Sequence, residues 1–257
     1  MGRLHLFEFE DQSWFPAFLR NYGTDFLQFL SNKTKMYKPV ISILEKGLKK
    51  CDENRILDLG SGGGGSLLWI NSELKKTIPC LKIILTDYYP NISAFEYTQR
   101  QADNFEFITK SIDARNVPKE LKGFRTMFLS LHHFKPKNAQ QVLQNAVDTN
   151  SSIGIFEAQE RSFPSLLAMF LSPITVLLTT PFIRPFKFGR ILFTYLIPIV
   201  PIFVWWDGIV SSLRTYSVKE MKELLTNLNK VERFDWEINR IKSGPGIILY
   251  LLGTAKE

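Results

Sequence analysis

Cysteine and histidine are scarce in this sequence. Its 257 residues include only two cysteines, Cys51 and Cys80, and three histidines. These residues cannot be combined into a recognisable zinc-ligand spacing. A chain of this length buries roughly 70–75% of its unfolded surface, so it needs neither a disulfide nor a structural metal for stability. We therefore expect no bound metal and a reducing, cytoplasmic compartment.

Runs of lysine and arginine are also missing, although the net charge is +7. That charge suits an anionic partner, either a membrane surface or a nucleic acid. The phenylalanines lie mostly in apolar runs and do not alternate with basic residues, which makes nucleic acid the weaker interpretation. Residues 1–11 are acidic and lack an apolar core, so we expect no signal peptide there.

Apolar periodicity divides the chain into a helical first part and an alternating second part. Residues 13–50 carry apolar side chains at three- and four-residue steps, with Pro39 opening a second helix. Residues 1–50 are thus predicted to form an N-terminal helical cap. From residue 55 to 156 short aliphatic runs alternate with amphipathic stretches, which indicates a parallel sheet with right-handed crossovers. Residues 51–257 form the predicted main domain.

The C-terminal residues predict an antiparallel addition to this sheet. Two strand-like runs, 231–238 and 247–253, flank Gly244-Pro245-Gly246 and can pair as a hairpin at the sheet edge. The helix before them begins with a capping-box pattern, in which Ser217 and Glu220 are three residues apart.

The sharpest local signal is the segment Asp58-Leu59-Gly60-Ser61-Gly62-Gly63-Gly64-Gly65, between a buried strand and a helix. Glycines there let the backbone turn tightly and approach a ligand that a Cβ atom would exclude. Gly60, Gly62 and Gly65 also satisfy the G-x-G-x-x-G pattern of dinucleotide sites. Asp58 favours a ligand with a cationic amino-acid end over a pyrophosphate.

Asp58-x-Gly60-x-Gly62-x-Gly64 resembles motif I of the class I S-adenosylmethionine-dependent methyltransferases, and the resemblance continues in order along the chain. Ile83-Ile84-Leu85-Thr86-Asp87 resembles the family's second strand, whose terminal acid holds the ribose hydroxyls, since a carboxylate can accept hydrogen bonds from both. Ser111-Ile112-Asp113-Ala114 resembles the loop whose acid and following amide bind the adenine edge. The segments 127–134 and 153–157 resemble the fourth and fifth strands.

The resemblance covers about residues 35–160, and the C-terminal hairpin resembles the family's reversed seventh strand. It implies a Rossmann-like α/β fold with a seven-stranded mixed sheet, and an enzyme whose cofactor is S-adenosyl-L-methionine. The residues that it places at the cofactor are Asp58, Gly60, Ser61, Gly62, Gly64, Asp87, Asp113, Ala114 and Ser130. A tight structural turn, with acids that only cap turns and strand ends, is the alternative.

Two histidines follow the predicted fourth strand, where the carboxyl ends of the sheet open onto the ligand crevice. Methyl transfer is an in-line displacement, so the enzyme mainly positions the nucleophile and removes its proton. His133 is the preferred general base and His132 the second candidate, since imidazole titrates near neutrality. The alternative is a pair of histidines that only pack or cap the following helix.

Residues 162–213 form a predicted hydrophobic insertion after the fifth strand. Two uncharged runs, 164–183 and 191–206, are joined by a short basic segment. The first run has the length of a bilayer span and the second is short, while prolines interrupt any long helix. A basic joint on the far side would also oppose the positive-inside tendency. A helical hairpin through the membrane and a buried structural insertion are therefore the alternatives.

We expect the insertion to form a lid over the cofactor crevice that dips into the membrane without crossing it. Arg184, Lys187 and Arg190 in the basic joint would contact anionic head groups, each contributing about 1 kcal/mol near the surface. The predicted partners are a hydrophobic or lipid-like acceptor and an anionic membrane surface contacted through residues 164–206. The predicted location is cytoplasmic and peripheral, at the inner face of the membrane.

Two further stretches are distinctive in composition. Residues 7–16, followed by Arg20 and Tyr22, place a charged loop before an aromatic helix, and residues 207–217 form a polar patch. Both resemble a bacterial subgroup of these methyltransferases, whose substrate the resemblance does not identify. The candidate substrate residues are Tyr22, Glu157, Asp207, Arg214 and Tyr216. A structural network between insertion and core, and a solvated strand end at Glu157, are the alternatives.

The sequence thus predicts methyl transfer from S-adenosylmethionine to a hydrophobic small-molecule or lipid-like acceptor, at oxygen in preference to nitrogen or carbon. An NAD(P)-dependent oxidoreductase is the first alternative, because the glycine pattern also occurs in that class. A non-catalytic, membrane-associated adaptor with the same fold is the second, because a fold does not fix a function. The acceptor, the pathway and the oligomeric state stay open.

Overall fold

The computed structural model describes residues 2–51 and 53–256, which fold around a seven-stranded sheet. The strands are β1 (Arg55–Leu59), β2 (Lys82–Thr86), β3 (Phe105–Phe107), β4 (Phe124–Phe128), β5 (Ile153–Glu157), β6 (Phe234–Ser243) and β7 (Gly246–Ala255). Their order across the sheet is β3-β2-β1-β4-β5-β7-β6. Strands β1 to β5 pair in parallel, while β7 is antiparallel to both β5 and β6. The predicted Rossmann-like α/β fold with a seven-stranded mixed sheet is confirmed.

The predicted C-terminal hairpin is present, with β6 at the sheet edge and β7 between β5 and β6. Strand β6 is longer than its apolar run and continues to Ser243, because an edge strand needs only one buried face. Gly244 in the turn has a φ of 55°, which glycine adopts without strain. Gly253 in β7 makes room for Trp236, since a Cβ atom there would lie 2.4 Å from the indole ring.

Helices cover both faces of the sheet and extend beyond it. They are α1 (Ala17–Thr34), α2 (Ile41–Leu48), α3 (Leu67–Leu74), α4 (Ile92–Gln101), α5 (Pro136–Asp148), α6 (Phe163–Phe170), α7 (Ser172–Thr179), α8 (Phe188–Ile191), α9 (Ile199–Arg214) and α10 (Val218–Leu225). A 3₁₀ turn containing Pro39 leads into α2, as the sequence predicts. The predicted capping box is also present at Ser217, where both of its hydrogen bonds form.

Two apolar cores lie on opposite faces of the sheet. One contains Leu44 of α2 and Phe95 of α4, packed on Ile83 of β2. The other contains Val142 of α5 and Met221 of α10. Helix α2 therefore belongs to the sheet's own core, although the sequence places it in an N-terminal cap.

A third apolar cluster joins α1 to the insertion, residues 162–213. Phe15, Leu19 and Phe26 pack there against Val176 of α7 and Phe203 of α9. On another side, α1 contacts α3 and the glycine loop. The insertion is thus attached to the outer side of α1, which lies between it and the loop.

The basic joint of the insertion turns inward. Arg190 Nη1 lies 2.6 Å from Asp25 Oδ2 in α1, with both side chains 1% exposed, and Lys187 Nζ lies 2.8 Å from the same oxygen. The expectation that all three basic residues face lipid head groups is therefore wrong for Arg190, and Lys187 is paired within the chain. Arg184 remains exposed. Arg190 and Lys187 both pair with the buried Asp25 carboxylate, because a buried charge without a partner is energetically unfavourable.

Within the described residues, no single helix is both long enough and apolar enough to cross a membrane. Two helix pairs in the insertion meet the length and hydropathy requirements jointly, but they are bent by 43° and 79°. Pro164 and Pro173, each the second residue of its helix, account for part of this division into the short helices α6 and α7.

Candidate functional site

The carboxyl end of β1 continues into a loop of unusual backbone geometry. Four glycines have φ angles between 47° and 89°, a region that residues with side chains rarely adopt. They are Gly60, Gly62, Gly64 and Gly65. Gly63 is required for a different reason, because a Cβ atom there would lie 2.8 Å from the Thr24 carbonyl oxygen of α1. The loop therefore lies directly against α1.

Asp58 supports this loop from the end of β1. Its buried carboxylate accepts hydrogen bonds from Thr126 Oγ1 at 2.6 Å and from Ser61 Oγ at 2.7 Å. Burial raises the pKa of Asp58 to about 7, against the two hydroxyl groups, which lower it. Both carboxylate oxygens are thus engaged by the protein, which indicates that Asp58 shapes the loop.

Asp87 meets the loop from the end of β2. Its Oδ2 accepts the N–H of Gly62 at 2.7 Å, and its Oδ1 accepts the N–H of Tyr89 at 2.7 Å. Burial raises the pKa of Asp87 despite these two N–H groups, which lower it. Each carboxylate oxygen keeps a second lone pair. Asp87 can therefore accept two further hydrogen bonds from a bound molecule.

Asp113 lies in the turn after β3. Arg115 donates to its carboxylate from Nη2 at 2.6 Å and from Nε at 3.0 Å, and this pairing holds the pKa of Asp113 below its ordinary value. Ser130, after β4, approaches the loop from the other side, where its Oγ donates to the Phe128 carbonyl at 2.8 Å. A Cβ atom on Gly60 would lie 3.0 Å from that hydroxyl.

These strand ends surround a cavity of about 370 Å³. The predicted cofactor residues that line it are Gly60, Ser61, Gly62, Asp87, Asp113, Ala114 and Ser130. Asp58 and Gly64 do not line it, since Asp58 lies behind the loop and Gly64 faces Thr98 and Gln28. The structure therefore brings most of the predicted cofactor residues together.

The cover of this cavity differs from the predicted one. Every residue of the insertion is described, and none of them lines the cavity. The expected lid over the crevice is therefore wrong, because α1 lies between the insertion and the cavity. The opposite wall instead comes from α1 and the segment before it, with Glu10, Asp11, Arg20, Asn21 and Thr24.

We name residues 3–12 the N-terminal strap, because they run along α9 and over one end of the cavity. Asp207 of α9 accepts the N–H of Phe9 at 2.8 Å and the N–H of Glu10 at 3.1 Å. Arg214 donates to the Leu6 carbonyl from Nε at 2.8 Å. Asp207 and Arg214, both predicted substrate residues, thus hold the strap. This arrangement corresponds to the alternative of a structural network.

His133 lines the cavity, and two carboxylates of the strap lie at one of its ring nitrogens. Its Nδ1 is 2.9 Å from Glu8 Oε2 and 2.9 Å from Asp11 Oδ1. Burial alone would lower the pKa of His133, but these carboxylates raise it well above its ordinary value. The surroundings of His133 therefore favour the protonated imidazolium over the neutral ring. That charge state favours a proton donor at His133 over the predicted general base.

His132 and Glu157 form a pair behind the cavity wall. His132 Nδ1 lies 2.7 Å from Glu157 Oε2, and the two side chains are 3% and 0% exposed. Glu157 Oε1 accepts the N–H of Leu131 at 2.8 Å. Neither residue lines the cavity. The structure therefore gives this pair a structural position, although the sequence proposes His132 for catalysis and Glu157 for substrate contacts.

The two predicted tyrosines also lie outside the cavity lining. Tyr216 donates its hydroxyl to the Phe134 carbonyl at 2.7 Å, and the Arg3 guanidinium lies 4.0 Å from its ring centroid. Tyr22 is buried in the cluster that joins α1 to the insertion, next to Gly189. Both residues connect segments that are distant in the chain.

Glu8, His132 and His133 each bring one potential ligand atom within 4.8 Å of the others. Arg214 Nη1 already lies 3.2 Å from Glu8 Oε2 and 2.5 Å from Asp11 Oδ2. His133 Nδ1 contacts both acids, so the negative charges are balanced by protein cations. We therefore interpret this group as an ion-pair cluster.

Sequence reasoning did not assign Glu10, Asp11 or Arg20 to the site. The feature of the sequence that pointed to them is the charged stretch of residues 7–16, which comes before an aromatic helix. Its partners lie on α9 and after β4, so its position could not be derived from local spacing. Arg20 donates from Nε to the Glu10 carbonyl at 2.9 Å and lies 4.3 Å from the Tyr89 ring centroid.

No family model and no curated protein matches the sequence. Solved structures do match the fold. The plantazolicin methyltransferase BpumL in complex with SAH has a TM-score of 0.53 and 18% identity, over 93% of this chain and 88% of that one. An O-methyltransferase family protein from Burkholderia thailandensis has a TM-score of 0.50 and 15% identity, over 89% of this chain and 59% of that one.

A protein from Rhodobacter sphaeroides described as a zinc-dependent alcohol dehydrogenase also matches, with a TM-score of 0.52 and 10% identity, over 93% of this chain and 98% of that one. Likeness at these identities shows a shared fold. The reversed strand β7, the glycine loop after β1 and the acid after β2 are the features by which the sequence resembles the methyltransferases. The chain has the fold of the class I S-adenosylmethionine-dependent methyltransferases.

Proposed function

We propose that this protein is an S-adenosylmethionine-dependent methyltransferase. The observation that carries the proposal is the meeting of the glycine loop, Asp87 and the turn 112–114 around one cavity of this fold. When bound, the cofactor supplies an electrophilic methyl group on a sulfonium. The chain's own residues would bind it, exclude water and orient the acceptor.

The cavity residues fit this cofactor. The free lone pairs of Asp87 suit two ribose hydroxyls, because a carboxylate accepts a hydrogen bond on each oxygen. Ile112 and Ala114 line the cavity together with Phe134, which gives a flat base an apolar surface. The Gly60–Gly62 backbone can approach the amino-acid end closely, and Asp58 fixes that backbone through Ser61.

The remaining part of the cavity supports a hydrophobic acceptor. Leu27, Leu30 and Met36 line it, whereas Glu10 and His133 lie among its polar groups. Methyl transfer to oxygen is the favoured reaction, and the name of the Burkholderia protein, an O-methyltransferase family protein, supports it. A mainly apolar cavity with a few convergent polar groups is typical of a small-molecule site.

Two measurements test the proposal. Isothermal calorimetry should detect binding of S-adenosylhomocysteine but not of NAD⁺ or NADP⁺. Isotopically labelled S-adenosylmethionine, incubated with the protein and a lipid and metabolite extract, should then label a product that mass spectrometry identifies. Binding of the nicotinamide cofactor alone would support the oxidoreductase alternative, which the Rhodobacter structure keeps open. Cofactor binding without transfer to any extract would support the non-catalytic adaptor.

The insertion supports a second part of the proposal, a peripheral position at an anionic membrane. No residue of α6 is buried, and no aspartate or glutamate occurs between residues 161 and 206. The apolar side chains most exposed on the insertion are Phe163, Leu178, Phe182, Phe186, Phe188 and Leu196. Soluble monomers rarely expose so many large apolar groups together, and the missing negative charge suits anionic lipids.

Liposome flotation tests this position. The wild-type protein should float with vesicles that contain phosphatidylserine, and Leu178→Glu with Phe188→Glu should abolish flotation while S-adenosylhomocysteine binding is retained. Lys219→Ala with Lys242→Ala changes the net charge by the same two units at exposed positions outside the insertion, and this control should still float. A wild-type protein that stays in solution contradicts the membrane position. Sedimentation as a dimer would assign the face to a second copy.

A further inference from the structure

Glu10 has a fixed backbone and a carboxyl group that the protein leaves unpaired. Its N–H donates to Asp207 at 3.1 Å, and its carbonyl accepts from Arg20 Nε at 2.9 Å. Among the described residues, no hydrogen bond reaches its carboxyl oxygens. Gly23 of α1 makes room for this group, since a Cβ atom there would lie 2.9 Å from Glu10 Oε1. Glu10 is thus one of the residues that line the cavity, and no hydrogen bond within the described residues engages its carboxyl group.

The neighbouring acid is in the opposite situation. Asp11 Oδ2 lies 2.5 Å from Arg214 Nη1, and Asp11 Oδ1 lies 2.9 Å from His133 Nδ1. Asp11 is therefore a fixed anion that holds His133 in place. Since Nδ1 of His133 is occupied by Asp11 and Glu8, Nε2 is the ring nitrogen left for a bound molecule. Two adjacent carboxyl groups with such different surroundings are suited to two different roles.

We propose, on the basis of the methyltransferase function above, that Glu10 is the general base that removes the proton from a hydroxyl acceptor, while His133 donates a hydrogen bond to the acceptor oxygen. The acceptor would be a hydrophobic alcohol, phenol or enol, because a hydroxyl group must lose its proton when its oxygen is methylated. A carboxylate or a neutral amine would need none.

The atoms and charges of this step balance. The acceptor O–H bond breaks, and its proton passes to a carboxylate oxygen of Glu10. An oxygen lone pair forms the new O–CH₃ bond, while the electrons of the S–CH₃ bond return to the sulfur. The sulfonium charge is lost as Glu10 becomes neutral, so no oxidant, reductant or metal is required.

The charges around Glu10 agree with this role. Burial, Asp207 of α9, Glu8 and Asp11 together raise the pKa of Glu10 to about 8, against His133, which lowers it. Arg20 of α1 donates to the backbone carbonyl of Glu10 and makes no hydrogen bond with its carboxyl group. Burial raises the pKa of Asp207 to about 7, while the N–H groups of Phe9 and Glu10 lower it, so Asp207 loses its proton at lower pH than Glu10. A base with a pKa near the working pH is the most effective.

Carboxyl ¹³C NMR tests the titration without any acceptor. One glutamate signal should titrate near pH 8 in the wild-type protein, vanish in Glu10→Gln and remain in Glu120→Gln, an exposed control outside the cavity. In Asp207→Asn the same signal should titrate at lower pH, because a like charge is removed. A wild-type spectrum in which every glutamate titrates below pH 6 would overturn the assignment.

Kinetics with the acceptor found by isotope transfer tests the role itself. Glu10→Gln should lower kcat by about a hundredfold with S-adenosylhomocysteine affinity unchanged, and the rise of the rate with pH through about 8 should disappear. Glu10→Asp should recover part of kcat. Wild-type turnover by Glu10→Gln would overturn the base and leave the methyltransferase function intact. Absence of cofactor binding in the wild-type protein would instead overturn the proposed function, whatever the NMR titration shows.

Discussion

The two sides of the cavity are constructed in different ways. On the sheet side, the loop after β1 and the ends of β2 and β4 meet because parallel strands share one carboxyl edge. On the opposite side, the strap is held by α9, with Phe9 and Asp207 separated by 198 positions. Local sequence patterns thus suffice for one side, whereas the other depends on polar contacts between distant segments. Four predictions test this difference between the two sides.

The largest effect on stability is expected where two segments distant in the chain meet, at the buried ion pair between Arg190 and Asp25. Arg190→Met leaves Asp25 buried with only Lys187 as a cation, and loss of one partner of a buried pair costs about 3–5 kcal/mol. Urea denaturation should show this loss in the free energy of unfolding. The double variant Asp25→Leu with Arg190→Met should lose less, because no unpaired charge remains. A fully stable single variant would contradict the anchoring of the insertion to α1.

On the sheet side, the largest effect is expected on cofactor binding. Asp87→Ala should weaken S-adenosylhomocysteine binding by about 2–4 kcal/mol, the scale of losing charge-assisted hydrogen bonds. Calorimetry on the folded variant measures this change. Asp113→Ala should have a smaller effect, because Arg115 already binds that carboxylate. Unchanged affinity in Asp87→Ala would remove this residue from the site.

Asp58 should make the stability depend on pH. Its pKa is about 7 in the folded protein and about 3.9 in an unfolded chain, so the folded state binds the extra proton between these values. Its contribution to the free energy of unfolding therefore falls as pH rises from about 4 to 7. Asp58→Asn, which cannot ionise, should flatten this part of the stability curve relative to the wild type. Identical curves for the two proteins would show that folding does not raise the pKa of Asp58.

The smallest effect is expected at a purely local feature. Ser217 accepts the N–H of Glu220 at 3.3 Å, and the Glu220 carboxylate accepts the N–H of Ser217 at 2.8 Å. Ser217→Ala should lower the free energy of unfolding by about 1 kcal/mol, the usual effect of losing an N-cap. Thermal and urea unfolding should agree on this value, while Ser217→Asp should restore most of it. A decrease in the free energy of unfolding as large as that of Arg190→Met would contradict the expectation that local contacts contribute less than distant ones.

The hydrophobic insertion shows where sequence reasoning reached its limit. Its apolar composition and its basic joint are evident from the sequence, and a lid over the crevice was the expected arrangement. Nothing near Asp25 in the chain indicates that Arg190 and Lys187 bind it. Once these cations are drawn to α1, the insertion packs on the outer side of that helix.

His133 shows the same limit within the site. Its position at the end of β4 was predictable, and the structure places it in the cavity. The raised pKa of His133 could not be predicted from the sequence, because the acids that cause it, Glu8 and Asp11, belong to the strap. Glu10, in the same strap, was missed for the same reason.

The amino-acid sequence by itself determined the alternation of strands and helices, the glycine loop, the acid after β2 and the reversed hairpin. These features follow from periodicity, from the conformational freedom of glycine and from the order of parallel strands, all of which are local or topological. The tertiary structure alone decided which segment covers the cavity and which side chains carry charge there. Those outcomes depend on burial and on ion pairs between residues far apart in the chain, and a linear pattern does not encode such distances.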